Sequence, residues 1–596
     1  MKKKLLSVLL AMSMVLSLAA CGAKKGPAED GLNVCLASEP ATLDPALQSA
    51  VDNGIIINHL FEGLATWEED ANGESILVPS CATELTEGVE NPDGTVTYTY
   101  TLRDGLTWSD GKPVTAGDFV FAWNRAASPE TAADYGYMLD VVDGYDAMWD
   151  ENATGEEKLN VEAPDDKTLV VTLKNQVPYW NELLAFPTYK PVREDVVAND
   201  SWATEPKTMI CNGAYKIESW EHNSYLTLRK RDDYVDAAKV TMPAINFYLS
   251  DDVNNYLANF KNGDWQFIDD VPTNEIPALK KDYPDEFQIV GNIGTYYLCW
   301  NVNEDILPNS DLEGAEKAKA EAEIRNAINL IVDRNYIVED VSQGGQVPAS
   351  SFVAMGLTDA DGNEFYKNAG HNSFTGYYDV AKESYEKNWE EAKEVLKKYY
   401  TYDEATGKFT DIPSFVYLYN TNEGHKAIAE AIQANFAQMG IEMTLDNQEW
   451  ATFLDTRKSG NFSVARNGWG GDYNDPISFL DMWTTVSGNN DVQLGKGDNE
   501  TVKAYSIDLT DLGYDIKVED GTWAETYDVL ISEIKKCTDK TTRYALMHKA
   551  EDLLMSTGTI CPIYYYTDLF MIDDSVDGFF VTPLGFKYFT YCTMNK

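Results

Sequence analysis

A chain of 596 residues, 44% of them apolar, can bury a large core, and at about 150 residues per domain it divides into several domains. Lys and Arg number 47 against 97 Asp and Glu, a formal charge of −50, so the surface repels nucleic acid and anionic headgroups and disfavours phosphate binding. An aromatic content of 12% argues against disorder. The acidic balance either draws cationic ligands nearer or serves solubility alone.

Residues 1–20 read as a targeting segment: Lys2, Lys3 and Lys4, then an apolar stretch from Leu5 to Ala20 that is short for a spanning helix. The sequence Leu18-Ala19-Ala20-Cys21-Gly22 resembles the lipobox of bacterial lipoproteins, which implies cleavage before Cys21 and an acyl anchor on its sulfur. Residues 21–31 then form a short tether. No later stretch is long and apolar enough to span a bilayer. The seven other cysteines show neither a CxxC pair nor metal-ligand spacing, and buried free thiols are expected in the apolar runs around Cys35, Cys299 and Cys561.

Leu32 to Ala37 reads as a strand, and Ile55, Ile56, His59, Leu60 and Leu64 recur at helical spacing. Val96, Tyr98, Tyr100 and Leu102 alternate along a half-buried strand. Thr115 and Asp118 read as an N-cap before the helix carrying Phe119, Val120 and Trp123, and Thr168 to Lys174 is a further strand. Asn212-Gly213 suggests a hairpin turn, followed by strands at Tyr215–Trp220, Tyr225–Lys230 and Ile245–Ser250. A helix over Asn254–Asn262 and a strand over Trp265–Ile268 complete this block. From Thr295 a strand leads to helices at Glu316–Val332 and Val380–Tyr399. Strands at Phe415–Tyr419, Ile441–Leu445 and Phe462–Ala465 follow, with a helix from His425 to Gln438 between the first two. That alternation predicts an α/β domain with a largely parallel sheet. Asn489 to Gly521 reads as an insertion of solvated loops, and Ile560–Tyr566 and Phe579–Pro583 as closing strands. The motifs of zinc proteases, serine hydrolases and P-loop enzymes are absent, so the chain is expected not to be an enzyme and to need no cofactor or metal.

The run Val464 to Pro476 reads Val-Ala-Arg-Asn-Gly-Trp-Gly-Gly-Asp-Tyr-Asn-Asp-Pro. Glycines at 468, 470 and 471 let another backbone approach closely, while Arg466, Trp469 and Asp472 suit an extended ligand with a positive end. The alternative is a glycine turn with a solvated aspartate. The run resembles the Gly-Trp-x-x-Asp-Tyr segment of the oligopeptide-binding proteins, the extracytoplasmic receptors of peptide ABC importers (solute-binding family 5). Further likeness lies in Glu39–Pro45, Leu60–Leu64, Trp108–Gly111, Asn212–Lys216, Asn447–Trp450, Phe453–Arg457 and Tyr564-Tyr565-Tyr566, in the family's order.

The resemblance implies a two-lobed α/β fold of the periplasmic-binding-protein type with an extra domain and a hinge between the lobes. Residues 32–61, 189–293 and 563–596 would form lobe one, 62–188 its extra domain, and 294–562 lobe two. It implies a peptide enclosed between the lobes, paired to protein strands, and passed to a membrane permease by a monomeric, lipid-anchored receptor. Asp472 would hold the peptide α-ammonium; Arg457 and Arg466 would meet a carboxylate, with His425 close by. Gly468 and Gly470 would admit the ligand backbone. Trp450, Trp469, Tyr135, Tyr137, Tyr296 and Tyr297 would line the cleft. Where short-peptide relatives carry basic groups, this chain has Asp340, Ser342, Gln343 and Gln346, which leaves ligand length open. A signalling-peptide receptor and a secreted hydrolase of peptides or glycans are the alternatives.

Overall fold

The computed structural model describes residues 26–150, 152–368 and 374–595. The lipobox and Cys21 lie outside them. Ten strands form one continuous sheet: β1 (Leu32–Cys35), β2 (Tyr215–Glu221), β3 (Tyr225–Lys230), β4 (Ala244–Tyr248), β5 (Phe267–Ile268), β6 (Phe287–Trp300), β7 (Phe415–Asn420), β8 (Met443–Gln448), β9 (Val464–Gly470) and β10 (Ile560–Ile572). Their spatial order is β8-β7-β9-β6-β10-β5-β1-β4-β3-β2, and Val347–Pro348 adds a short eleventh strand against β10. Helices α1 (Val51–Leu60), α3 (Gly314–Leu330), α4 (Glu423–Met439), α5 (Trp450–Lys458) and α6 (Lys540–Ser556) belong to the same body, whereas α2 (Ala116–Ala127) packs on a second, smaller sheet.

Two long strands join the halves. β6 and β10 pair antiparallel from Phe287↔Met571 to Cys299↔Ile560, and the register breaks between Gly291 and Thr295. On one side of that break β10 meets β5; on the other β6 meets β9. The chain is therefore two-lobed, with each lobe built on one end of a shared ribbon. Tyr296 to Trp300 is apolar without alternation because the strand is covered on both faces; all five residues are fully buried. On one face Tyr296, Leu298 and Trp300 join Ile324 and Ile328 of α3 and Ile432 and Phe436 of α4 in one core cluster.

Residues 89–173 fold into a separate four-stranded antiparallel sheet, with Val96–Thr101 and Thr168–Leu173 at its centre. Their alternating burial follows the alternating sequence. The Thr115 N–H donates to the Asp118 carboxylate at 2.8 Å, the reciprocal bond that starts α2. Asp reaches as Glu would, and Trp108 Nε1 donates to the same oxygen at 3.2 Å.

Four expectations need correction. The sheet around β7 is mixed: β7 is parallel to β8 and β9, but β9 runs antiparallel to β6 because the ribbon enters from the other lobe. The helix expected over 380–399 spans only Tyr385–Leu396, preceded by a 3-10 turn at Lys382–Ser384. Asn212-Gly213 makes no hairpin. The Gly213 N–H donates to the Leu60 carbonyl at 2.7 Å, and a Cβ there would come 2.6 Å from the carbonyl carbon, so this glycine permits docking against the end of α1. The true β2–β3 turn carries Asn223 at φ +59°. The start of the segment 489–521 is not solvated: Asn489, Asn490 and Asp491 are all under 5% exposed. The Asn490 amide donates to the carbonyls of Trp483, Thr484 and Leu494, which makes an Asn-rich stretch compatible with burial. The cysteines expected to be buried thiols are so: Cys35, Cys299 and Cys561 are free and inaccessible.

Candidate functional site

β9 is paired along its whole length on one side only. Gly470 to Val464 face Gly294 to Trp300 of β6, whereas β7 reaches only Val464 and Ala465 on the other edge. From Arg466 to Gly470 that second edge carries no strand and borders a cavity of about 450 Å³ between the lobes. An unpaired strand edge offers a ladder of N–H and C=O groups to an extended chain. Gly470 has open space where a Cβ would be, the nearest atom being the Leu584 carbonyl oxygen at 4.0 Å, while at Gly468 the Tyr566 hydroxyl occupies that space.

Just past the strand, Asp472 lines the cavity at 9% exposure. Its N–H donates to Ser478 Oγ at 2.8 Å, and Trp469 Nε1 donates to the Ser478 carbonyl at 2.8 Å. Ser478 thus fixes both residues from behind; six and nine positions away across a proline turn, it carries no sequence signal. Asp472 Oδ2 has no hydrogen-bond partner among the described residues. Burial first, and the Asp481 carboxylate second, push its pKa well above the usual carboxylate range; Tyr135 and Ser478 oppose this by hydrogen bonding. The Tyr135 ring lies 5.9 Å from Trp469 and 4.9 Å from Phe186, lining the same end.

Arg466 lies further along the open edge. Its guanidinium sits 5.5 Å from the Tyr296 ring and 5.9 Å from the rings of Trp450 and Phe453. It donates to His425 Nε2 at 2.8 Å and has no carboxylate partner among the described residues. His425 is therefore a neutral acceptor, and burial followed by the Arg466 charge holds its pKa well below the ordinary value. It orients the arginine; it brings no charge of its own. Asn422 Oδ1 accepts the His425 N–H at 3.0 Å and starts α4.

Arg457 has a different situation. Its Nε lies 2.9 Å from Asp491 Oδ2, although the N–H does not point at it, and Asn467 Nδ2 donates to the same oxygen at 2.9 Å. Arg457 and Asp491 are 7% and 4% exposed, so this is a buried ion pair at the cavity wall, where the resemblance implied a cation awaiting a ligand carboxylate. Three tyrosines fall outside the cavity lining. Tyr296 is fully buried in the core beneath the Arg466 guanidinium, and Tyr297, on the opposite face of the strand, packs on Phe352 and Trp483. Tyr137, 2% exposed, lies in the core with Lys535 Nζ 5.9 Å above its ring.

Sequence reasoning missed the charged residues of the opposite wall, having named only Ser342, Gln346 and Tyr566 there. Lys587 lines it and pairs with Asp568 at 2.8 Å and Asp269 at 3.2 Å. Asp52 and Asp270 also line it, as do Ser342, Gln346 and Tyr566. Asp270 adopts φ +128°, a strained backbone for a residue with a side chain. No spacing joins these residues, because they come from five separate stretches of chain.

Residues 77–491 match the family model "Bacterial extracellular solute-binding proteins, family 5 Middle". The oligopeptide-binding protein OppA of Bacillus subtilis is 31% identical over 609 residues, covering 99% of both chains. Haemophilus influenzae OppA, solved in complex with the peptide RPPGFSPFR, superposes with a TM-score of 0.77 at 28% identity, over 96% of this chain and 100% of that one. The Escherichia coli murein tripeptide-binding protein MppA gives 0.77 at 27% identity, over 96% of this chain and 100% of that one. Its unliganded open form gives 0.56 at the same identity, over 95% and 98%. With more than half its length matched by the family model, the chain belongs to the bacterial extracellular solute-binding proteins of family 5.

Proposed function

We propose that the chain is an extracytoplasmic receptor that encloses oligopeptides between its two lobes and delivers them to an ABC-type import permease, without chemical conversion. The observation that carries this reading is the open edge of β9 ending at a buried aspartate with a free carboxylate oxygen. A peptide running antiparallel to β9 would pair its backbone with Arg466–Gly470 and place its α-ammonium at Asp472, while Arg466 is free to meet a carboxylate. Backbone pairing gives affinity that tolerates varied side chains. The relatives support it, since their names assign them peptides. The poorer match to the open form of MppA supports reading this conformation as closed, with a hinge at the break between Gly291 and Thr295. On that reading lobe one comprises 32–61, 189–293 and 563–596 with the extra domain 62–188, and lobe two comprises 294–562. An acyl chain on Cys21 would hold the monomer at the outer face of the cell membrane.

Mass spectrometry of the denatured protein tests the function: intact peptides are expected, and fragments produced from added peptides would instead mark a hydrolase. Replacement Cys21→Ala is expected to release the protein into the medium or leave it unprocessed. Membrane retention of a correctly cleaved variant would exclude the anchor.

A further inference from the structure

Beside the cavity, and continuous with it through Asp52, Asp269, Asp270, Asn422, Trp450 and Arg466, lies a side pocket of about 170 Å³ between the lobes. Its remaining polar wall is Ser38, Asp251, Tyr256, Asn420 and Thr421. Asp269 is engaged by Lys587. Asp52, Asp251 and Asp270 have no ion-pair partner among the described residues, although Asp251 is exposed and Asp270 accepts the Val271 N–H; Arg466, across the pocket, stacks on aromatic rings and donates to His425, leaving its Nε–H unmet. Asn420 is 8% exposed, and its Oδ1 is a buried acceptor with no donor among the described residues. An unmet acceptor and uncompensated carboxylates around one small space call for a hydrogen-bond donor carrying positive charge. Apolar lining is supplied by Trp450, Leu36 and Ala37, which suits a long side chain with an aliphatic stem.

We propose that this pocket receives a lysine or arginine side chain of the bound peptide, making the receptor selective for basic peptides. The inference rests on the peptide-receptor reading. Among the described residues no three acidic, histidine or cysteine side chains converge closely enough to hold a metal ion, so the geometry favours an organic cation over a bare one. Burial leaves Asp52 and Asp270 with pKa values raised to about 6, and an ammonium or guanidinium between them would relieve that penalty. The position along the ligand follows from β9. Gly470 and Arg466 are four steps apart, roughly 13 Å at ~3.3 Å per residue, so with the first residue opposite Gly470 the side chain belongs to about the fifth residue.

Calorimetry on the full receptor, stripped of carried-over peptide by unfolding and refolding, tests the pocket. The probes are pentaalanine peptides with free termini bearing lysine, arginine, norleucine or glutamate at each of positions two to five. At one position lysine and arginine are expected to bind roughly tenfold or more tighter than norleucine, and glutamate weaker still. The double variant Asp52→Asn, Asp270→Asn should lose that advantage, so that lysine and norleucine peptides bind it alike; Asn at 270 can still accept the Val271 N–H, as Asp270 Oδ1 does at 2.7 Å. Equal binding of lysine and norleucine peptides at every position would overturn the side pocket and leave the peptide receptor standing. Failure of all the peptides would overturn both.

Discussion

At the scale of single residues, Asp472 and Glu551 show how burial sets a carboxylate's task. Asp472 is buried with one oxygen unmet, facing a cavity. If a peptide ammonium fills that place, removing either partner leaves the other charge buried, which costs on the order of 3–5 kcal/mol. N-acetylated peptides are therefore expected to bind hundreds- to thousands-fold more weakly than free ones. Asp472→Asn should weaken free peptides and discriminate less against acetylated ones. Calorimetry on the four combinations measures the coupling; additive losses would remove Asp472 as the ammonium anchor. Glu551 faces no cavity. Its Oε1 accepts the N–H groups of Val353 at 2.8 Å and Phe352 at 3.1 Å, its Oε2 has no partner among the described residues, and burial raises its pKa to about 8. The folded state thus holds a proton that the unfolded chain releases near pH 4.5. Stability is fully present below that value, falls as pH rises to about 8, and is flat beyond it. Glu551→Gln should flatten this slope, on the order of a few kcal/mol, in denaturant titrations across the range. An unchanged slope would show that the glutamate is ionised in the fold.

At the scale of elements, β9 concentrates what the site needs. Its alternation would bury one face of an ordinary strand, but glycines at 468 and 470 leave room on the side facing the cavity. The two are not equivalent. A Cβ at Gly468 runs into the Tyr566 hydroxyl, whereas at Gly470 it meets open space. Gly470→Val should therefore leave the melting temperature nearly unchanged, since β-branched residues suit strands, and lower peptide affinity at least tenfold. A variant that binds normally would mean the ligand backbone stays away from this edge. The elements themselves were largely legible: α2 with its Thr115–Asp118 start, and the strands over residues 96–101 and 168–173, follow local periodicity and capping. The Asn212-Gly213 turn was misread because a glycine permits two things, a turn and a close approach, and only the position of α1 decides between them.

At the scale of the whole molecule, segment 134–182 meets segment 458–543 across the cleft. Lys458 pairs with Asp134 at 2.8 Å, Lys535 with Asp140 at 2.8 Å, and Tyr473 stacks on Tyr179 with ring centroids 4.3 Å apart. Lys535 also lies 3.2 Å from Asp481, 3% exposed, so its charge is held in a buried site. Closure that makes these contacts should reduce the radius of gyration and alter tryptophan emission as Trp450 and Trp469 are enclosed. Scattering curves that superpose with and without saturating peptide would count against a hinge. Tyr473→Ala, which removes a stack worth ~0.5–1.5 kcal/mol beyond its area, should bias the free protein toward the wider form.

The sequence by itself determined the family, the two-lobed α/β class and most strands and helices, and it singled out the run from Arg466 to Asp472 as the candidate site. All of these reside in local pattern or in motifs a few residues long. Tertiary structure decided which charges are spent and which are free. Arg457 and Arg466 look alike in sequence, yet one is matched by Asp491 and the other only by aromatic rings and a neutral histidine. Tyr296 and Tyr297 are adjacent, yet pleating sends them to opposite faces. The wall formed by Asp52, Asp270 and Lys587 is assembled from residues hundreds of positions apart. Whether a charge finds a partner depends on distance in space, and composition and periodicity carry no record of contacts made across the cleft.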